Sequence, residues 1–283
     1  MAMTDFSAYL IVTDLDGTFL NKKGGVVQRN LDAVARFCAG GGRFTVNTGR
    51  THFTLSPVVP QPHLLLNAPA SHCNGAYLYD FATKEFFLEE YLTSKDAADI
   101  LDFSARYCPD VSWRPNAHEK VRVYTPPQEG PPIVLGAPDD VLDLDTPPTQ
   151  WKLDDWYKVV YVGKDTRIAQ LRKEFEAFFA ERFAITSSCG HAIEVQLPHS
   201  NKAIGIQKMR QLSPELAART IIACGDFEND IPMLKAADVA TCPANAMDEV
   251  KELCDLVLCP CDEGVIADVI EAIEDGRITP KTV

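Results

Sequence analysis

No apolar run in the chain reaches the roughly eighteen residues that a membrane-spanning helix requires, so a membrane partner is not expected. The opening Met1-Ala2-Met3-Thr4-Asp5 has neither the basic start nor the long apolar core of a secretory signal, and cytoplasm is the expected compartment. No CxxC pair is present. The nine cysteines lie scattered in apolar runs such as Arg36-Phe37-Cys38-Ala39 and Ile222-Ala223-Cys224, which reads as buried thiols kept reduced. Cys254, Cys259 and Cys261 cluster, with Cys242 a possible fourth, but their spacing fits no familiar zinc motif. Positive charge is also short: the net charge is −13 and no basic stripe offsets it, which argues against nucleic acid. An anionic substrate must then be drawn in by local cations, not by the overall field. No internal repeat or low-complexity tract is found.

What is present is an ordinary globular composition, 46% hydrophobic and 24% charged over 283 residues, enough for two domains or one large one. Residues 9–82 alternate strand and helix patterns. Tyr9–Thr13 reads as a strand, Gln28–Ala39 as a helix stopped by Gly40-Gly41-Gly42, and Arg43–Asn47, His63–Asn67 and Ala76–Tyr79 as further strands. This is βαβ grammar, with parallel strands expected. Residues 83–190 hold more strands than helices: Glu85–Leu92, Val111–Arg114, Lys120–Tyr124, Tyr157–Val162 and Arg182–Ser187 against helices over Lys95–Tyr107 and Arg167–Phe179. Prolines concentrate from 126 to 148 and mark loops. Residues 191–283 return to alternation, from a strand at Glu194–Leu197 to a final helix from Val265. The expected domains are therefore a core of 1–82 and 191–283 and an inserted α+β unit of 83–190.

The chemistry gathers where strands end. Asp14-Leu15-Asp16-Gly17-Thr18 follows the apolar run Tyr9–Thr13, and ligands of open α/β sheets bind outside the carboxyl ends of strands. Asp and Gly also make turns, so this pentapeptide alone does not decide. Thr220–Cys224 repeats the pattern and ends in Gly225-Asp226, with Asn229 and Asp230 at the start of a helix. Asp230 is an adequate helix cap, yet capping explains one acid and not the whole set. Together these acids form an oxygen-rich, strongly negative site suited to Mg²⁺, which accepts carboxylates, water and substrate phosphate. Thr48-Gly49-Arg50 adds a hydroxyl, backbone N–H groups and a guanidinium. Lys202 starts a helix, where the macrodipole disfavours a cation, and that misfit favours a functional reading over a surface one.

In this order, Asp14-Leu15-Asp16-Gly17-Thr18, Thr48-Gly49-Arg50, Asn74-Gly75-Ala76, Lys202 and Gly225-Asp226-Phe227-Glu228-Asn229-Asp230 resemble the motifs of the haloacid dehalogenase superfamily. More narrowly the chain is similar to its Cof-type phosphatases, and Pro232-Met233-Leu234, Asn245-Ala246 and Glu263-Gly264-Val265 extend the match. The resemblance implies a Rossmann-like parallel-sheet α/β core with an inserted α+β cap domain that carries substrate choice. It also implies roles: Asp14 as nucleophile, Asp16 as general acid/base and, through its backbone carbonyl, a metal ligand, and Asp226 as second carboxylate ligand. Asp230 then supports metal-bound water or Lys202, Leu15, Thr48, Gly49, Lys202 and Asn229 bind phosphate, and Arg50 and Asn74 approach the substrate. The one departure is Asn47, where an alanine is common.

These readings converge on a Mg²⁺-dependent phosphatase of a small phosphorylated metabolite, a sugar phosphate among them, acting through an aspartyl-phosphate. A phosphomutase is the enzyme alternative and needs a second basic site, which Arg114, Lys120 and Arg122 are candidates to supply. A non-catalytic phosphate-ligand binding module is the other, although such modules lose the nucleophile or a ligand and this chain keeps both. Trp113, Arg114, His118, Lys120, Arg122 and Tyr124 are candidates to face a ligand. Oligomeric state is not legible.

Overall fold

The computed structural model describes residues 4–126 and 139–281, so residues 127–138 of the expected proline-marked loops lie outside the described residues. In chain order the strands are β1 (Tyr9–Thr13), β2 (Arg43–Val46), β3 (Ala70–His72), β4 (Tyr77–Asp80), β5 (Glu85–Phe87), β6 (Ser112–Ala117), β7 (Val121–Arg122), β8 (Leu142–Asp143), β9 (Trp156–Val162), β10 (Ala184–Cys189), β11 (Ala192–Gln196), β12 (Thr220–Cys224), β13 (Val239–Pro243) and β14 (Leu256–Leu258). The chain divides into two compact units. One holds residues up to His52, Val58–Glu89 and everything from Asn201; the other holds Phe53–Pro57 and Glu90–Ser200.

The first unit is an α/β layer structure. Its sheet runs β14-β13-β12-β1-β2 and is parallel throughout, with Tyr9 opposite Thr220 and Thr13 opposite both Cys224 and Val46. All five residues of β1 and all five of β12 are buried, as the unbroken apolar runs require of strands covered on both faces. The amphipathic helix Gln28–Ala39 buries Ala33, Val34 and Phe37 and packs on the C-terminal helix Val265–Glu274. Gly41, at φ +88°, turns the chain after that first helix. A small sheet, β3-β4-β5, is antiparallel, which corrects the expectation of parallel strands throughout residues 9–82.

The second unit is α+β. Its sheet runs β10-β11-β9-β6-β7-β8 and is antiparallel except for the β7–β8 pair. One apolar cluster joins sheet residues Trp113, Val159, Tyr161, Ile193 and Val195 to Ile100 and Phe103 of the Ser94–Tyr107 helix and Leu171 and Phe175 of the Asp165–Phe179 helix.

Three strand expectations shift. Residues 63–67 form no strand, because Pro62 starts a short helical turn over Pro62–Leu65. Strand β5 stops at Phe87, since Leu88 takes φ 53°, which a strand cannot hold, and β5 pairs with β4 of the first unit. The strand at Glu194 pairs with β9 and so lies in the α+β sheet, not in the core. The break between units therefore falls at Glu89/Glu90 and Ser200/Asn201, against the 82/83 and 190/191 read from the sequence.

Candidate active site

Parallel pairing of β1 with β12 brings their carboxyl ends side by side, and Asp14 N–H donates to the Cys224 carbonyl at 2.8 Å. Asp14 and Asp226 thus meet although 212 positions separate them (226 − 14). Thr18 holds the second acid: its hydroxyl donates to Asp226 Oδ1 at 2.7 Å. Gly17 lets them approach. It takes φ +85°, and a Cβ there would lie 2.5 Å from Asp226 Oδ2. The motif contained Thr18, but nothing in its chemistry alone gave it this partner.

Lys202 completes the set. It opens the helix Lys202–Leu212, is almost fully buried, and places its ammonium 2.5 Å from Asp14 Oδ1 and 2.5 Å from Asp230 Oδ1. The other Asp230 oxygen accepts from the backbone N–H groups of Asp226 and Phe227, at 2.9 and 3.1 Å. Asp230 is therefore fully engaged in holding Lys202 and the Asp226 loop. Asp14 Oδ2 accepts no hydrogen bond among the described residues.

The electrostatics of the cluster follow from crowding. Burial lifts the Asp14 carboxyl well above the usual range, Lys202 opposes this, and Asp230, Asp226 and Asp16 add to it. Asp226 is pushed up to about 6 by burial and then by Asp230, with the Thr18 bond and Lys202 pulling the other way. Burial would lower the Lys202 ammonium, but Asp14 and Asp230 more than reverse it and hold it raised and charged. Asp14, Asp226 and Asp230 present oxygens all within 4.8 Å of one another. An all-oxygen set with two carboxyls held above their normal range is short of positive charge, and a hard divalent cation fits it.

Asp16 stands apart. Its side chain is exposed and grips Arg50 with two parallel bonds, Nε to Oδ2 and Nη2 to Oδ1, both 2.7 Å. Arg50 is set by its loop: its N–H donates to Thr48 Oγ1 at 3.1 Å, and its carbonyl accepts from Cys73 N–H at 3.1 Å and faces His72 Nδ1 at 3.1 Å. A carbonyl only accepts, so Nδ1 carries the proton. Thr48 is buried, its carbonyl accepts from Asn74 N–H at 3.0 Å, and Gly49 lies between them, half-buried. Asn74 is buried at φ 55°, and Asn229 is buried in the turn Glu228–Asp230. Leu15, wholly buried, anchors the loop that follows β1, its carbonyl accepting from Leu20 N–H at 2.8 Å.

In the α+β unit, Trp113 is a packing residue, buried against Trp151 and Tyr161, with Tyr124 5.7 Å from it; this corrects the ligand-facing expectation for both. His118, Lys120 and Arg122 do line a cleft of about 560 Å³ within that unit. Arg122 is neutralised there by Asp155, at 3.2 and 3.4 Å, and His118 Nδ1 meets the Tyr91 and Tyr157 hydroxyls at 3.0 and 2.9 Å. Among the described residues no helix is long and apolar enough to cross a membrane.

Comparison with known proteins agrees with this arrangement. The family model for haloacid dehalogenase-like hydrolases matches residues 11–270. The chain is 27% identical over 271 residues to the pyridoxal phosphate phosphatase YbhA of Escherichia coli (strain K12), covering 88% of this chain and 92% of that protein. It is 23% identical to the 5-amino-6-(5-phospho-D-ribitylamino)uracil phosphatase YwtE of Bacillus subtilis (strain 168), covering 94% and 98%. The fold superposes on a haloacid dehalogenase-like hydrolase from Bacteroides thetaiotaomicron with a TM-score of 0.76 at 21% identity, over 93% and 98% of the two chains. With Asp14, Lys202 and the Asp226 loop at adjoining strand and helix ends, the chain belongs to the haloacid dehalogenase-like hydrolases, among their Cof-type phosphatases.

Proposed function

We propose that this phosphoric monoester hydrolase uses Mg²⁺ and an aspartyl-phosphate intermediate to hydrolyse a small phosphorylated metabolite, with sugar phosphates the first class to test. The carrying observation is the Lys202 ammonium shared at 2.5 Å by Asp14 and Asp230, beside an Asp226 carboxyl in need of a cation. Asp14 Oδ2 is the oxygen left to attack phosphorus. As its new bond forms, the ester P–O bond breaks and the departing oxygen takes a proton from Asp16. Water then attacks the acyl-phosphate, with Asp16 as base. Arg50, paired with both Asp16 oxygens, fixes the orientation of that carboxyl. Lys202 offsets the charge of the phosphoryl oxygens, and N–H groups of Leu15 and Gly49, the Thr48 hydroxyl and Asn229 orient them. The residues that fit Mg²⁺ are Asp14, Asp226 and the Asp16 carbonyl, and the ion would supply Lewis-acid charge neutralisation for the phosphoryl group.

Substrate choice is assigned to the α+β unit, because the core set sees only the phosphoryl group. The test is phosphate release from a panel of sugar phosphates, pyridoxal phosphate and a ribitylamino-type phosphate, with Mg²⁺ and with chelator, alongside an assay for isomer interconversion. Chelator-sensitive release without interconversion is expected. Interconversion without release would make the protein a mutase, and no turnover of any phosphate ester would remove the reading.

A further inference from the structure

Asn47 follows β2 and is wholly buried. Its N–H donates to the Thr13 carbonyl at 2.9 Å, beside the nucleophile, and it bridges to Ser71 on its other side. Its side-chain Nδ2 donates to the backbone carbonyl of Lys202 at 2.7 Å. A carbonyl has two lone pairs, so this bond adds to whatever the helix itself makes there.

The contact is tight enough to fix the helix's first turn. A Cβ at Gly205 would lie 2.3 Å from Ser71 Oγ and 2.8 Å from Asn47 Nδ2, and one at Gly75 would lie 2.6 Å from the Asn201 carbonyl and 2.9 Å from Gly205 N. Gly75 brings backbone against backbone and Gly205 lets the Ser71 and Asn47 side chains close on the helix, both beside the residue that carries the ammonium. Asn201 closes the turn from outside, its side chain accepting from Ala203 N–H at 2.9 Å. Asn47 thus ties the end of β2 to the main chain of Lys202 itself. An alanine there could supply no such donor.

We propose that Asn47 is a positioning residue for Lys202: it pins the lysine's main chain so that the ammonium stays centred between Asp14 and Asp230. The catalytic half of this inference rests on the phosphatase reading; the geometric half does not. The two are separated by measuring both. Asn47→Leu keeps the shape and removes the donor, and Asn47→Ala serves should the leucine fail to fold. In ¹⁵N-lysine-labelled protein the Lys202 ammonium is identified by its loss in Lys202→Arg, and its proton exchange is followed in both Asn47 variants. Faster exchange and a moved resonance are expected, with kcat on p-nitrophenyl phosphate reduced roughly tenfold, little change in KM, and a urea midpoint that still shows a folded chain. A Lys202 signal identical to wild type in the folded variants overturns the proposal, as does an unchanged kcat. Should wild type hydrolyse no phosphate ester while the Asn47 variants still move the Lys202 signal, the phosphatase reading falls and the positioning stands.

Discussion

Replacing Asp226 by asparagine should stabilise the metal-free protein at neutral pH. Burial and Asp230 push this carboxyl from 3.8 up to about 6, so ionising it in the folded chain costs roughly 3 kcal/mol. The sign follows from proton uptake. Between about pH 4 and pH 6 the unfolded chain has released this proton and the folded chain still holds it, so stability falls as pH rises through that window. Above it the full cost is present. Asparagine has no such cost and keeps an oxygen to accept the 2.7 Å bond from Thr18. In chelator at pH 7 the variant should therefore melt higher than wild type, by roughly 5 °C once imperfect repacking is allowed for. At pH 4 the two should nearly coincide. Adding Mg²⁺ should raise the wild-type melting temperature and move the variant much less, because binding to the folded state alone is what stabilises. Calorimetry across pH 4–7.5, with chelator and with Mg²⁺, makes the measurement. A variant less stable than wild type at pH 7 in chelator would refute the idea that this acid is held against its own solvation.

Asp14→Asn should abolish turnover and leave the circular dichroism and urea midpoint near wild type, since the amide is a poor nucleophile and buried like charge is relieved; turnover near the wild-type rate would exclude the covalent route. Lys202→Ala should lower kcat/KM by a similar factor for every phosphorylated substrate and destabilise the fold by about 3 kcal/mol or more, because two buried carboxylates lose their cation; a changed substrate ranking at an unchanged common rate would detach Lys202 from the phosphoryl group. Arg50→Lys keeps the charge but replaces a two-bond grip by one, and single-turnover rates should drop by roughly tenfold; an unchanged rate would show that the Arg50–Asp16 pair has no part in catalysis. Arg122→Met leaves Asp155 buried without its partner, and should alter which substrate is preferred while p-nitrophenyl phosphate, read by the core alone, turns over as before.

Some of this was legible before any coordinates. The strands Tyr9–Thr13, Thr220–Cys224 and Leu256–Leu258 and the helix Gln28–Ala39 stand where their patterns placed them, because long buried runs and a glycine stop carry their own boundaries. Short alternating runs do not say which sheet they join, and Glu194 was accordingly assigned to the wrong unit. Residues 63–67 looked apolar enough for a strand, but Pro62 had already begun a helical turn. Within the site, the residue types were readable and their pairings were not. Asp16 and Arg50 meet across 34 positions, and Thr18 reaches Asp226 across 208. Asn47 was visible only as an unusual letter beside a motif; its partner is a backbone carbonyl, which no side-chain pattern announces.

The placement of β1 between β2 and β12 also bears on how the chain is born. Its first neighbour, β2, leaves the ribosome soon after it. Its second, beginning at Thr220, follows only after the whole Glu90–Ser200 unit has been made. At the roughly 5–20 residues per second of synthesis, β1 waits for many seconds with one edge unpaired. That edge is Tyr9-Leu10-Ile11-Val12-Thr13, an apolar run of the kind that templates strand addition from other chains. Until Thr220–Cys224 emerges, the nascent chain presents an unpaired apolar strand edge and an incomplete acid cluster together, so a product stalled just short of residue 220 is a natural client for a chaperone.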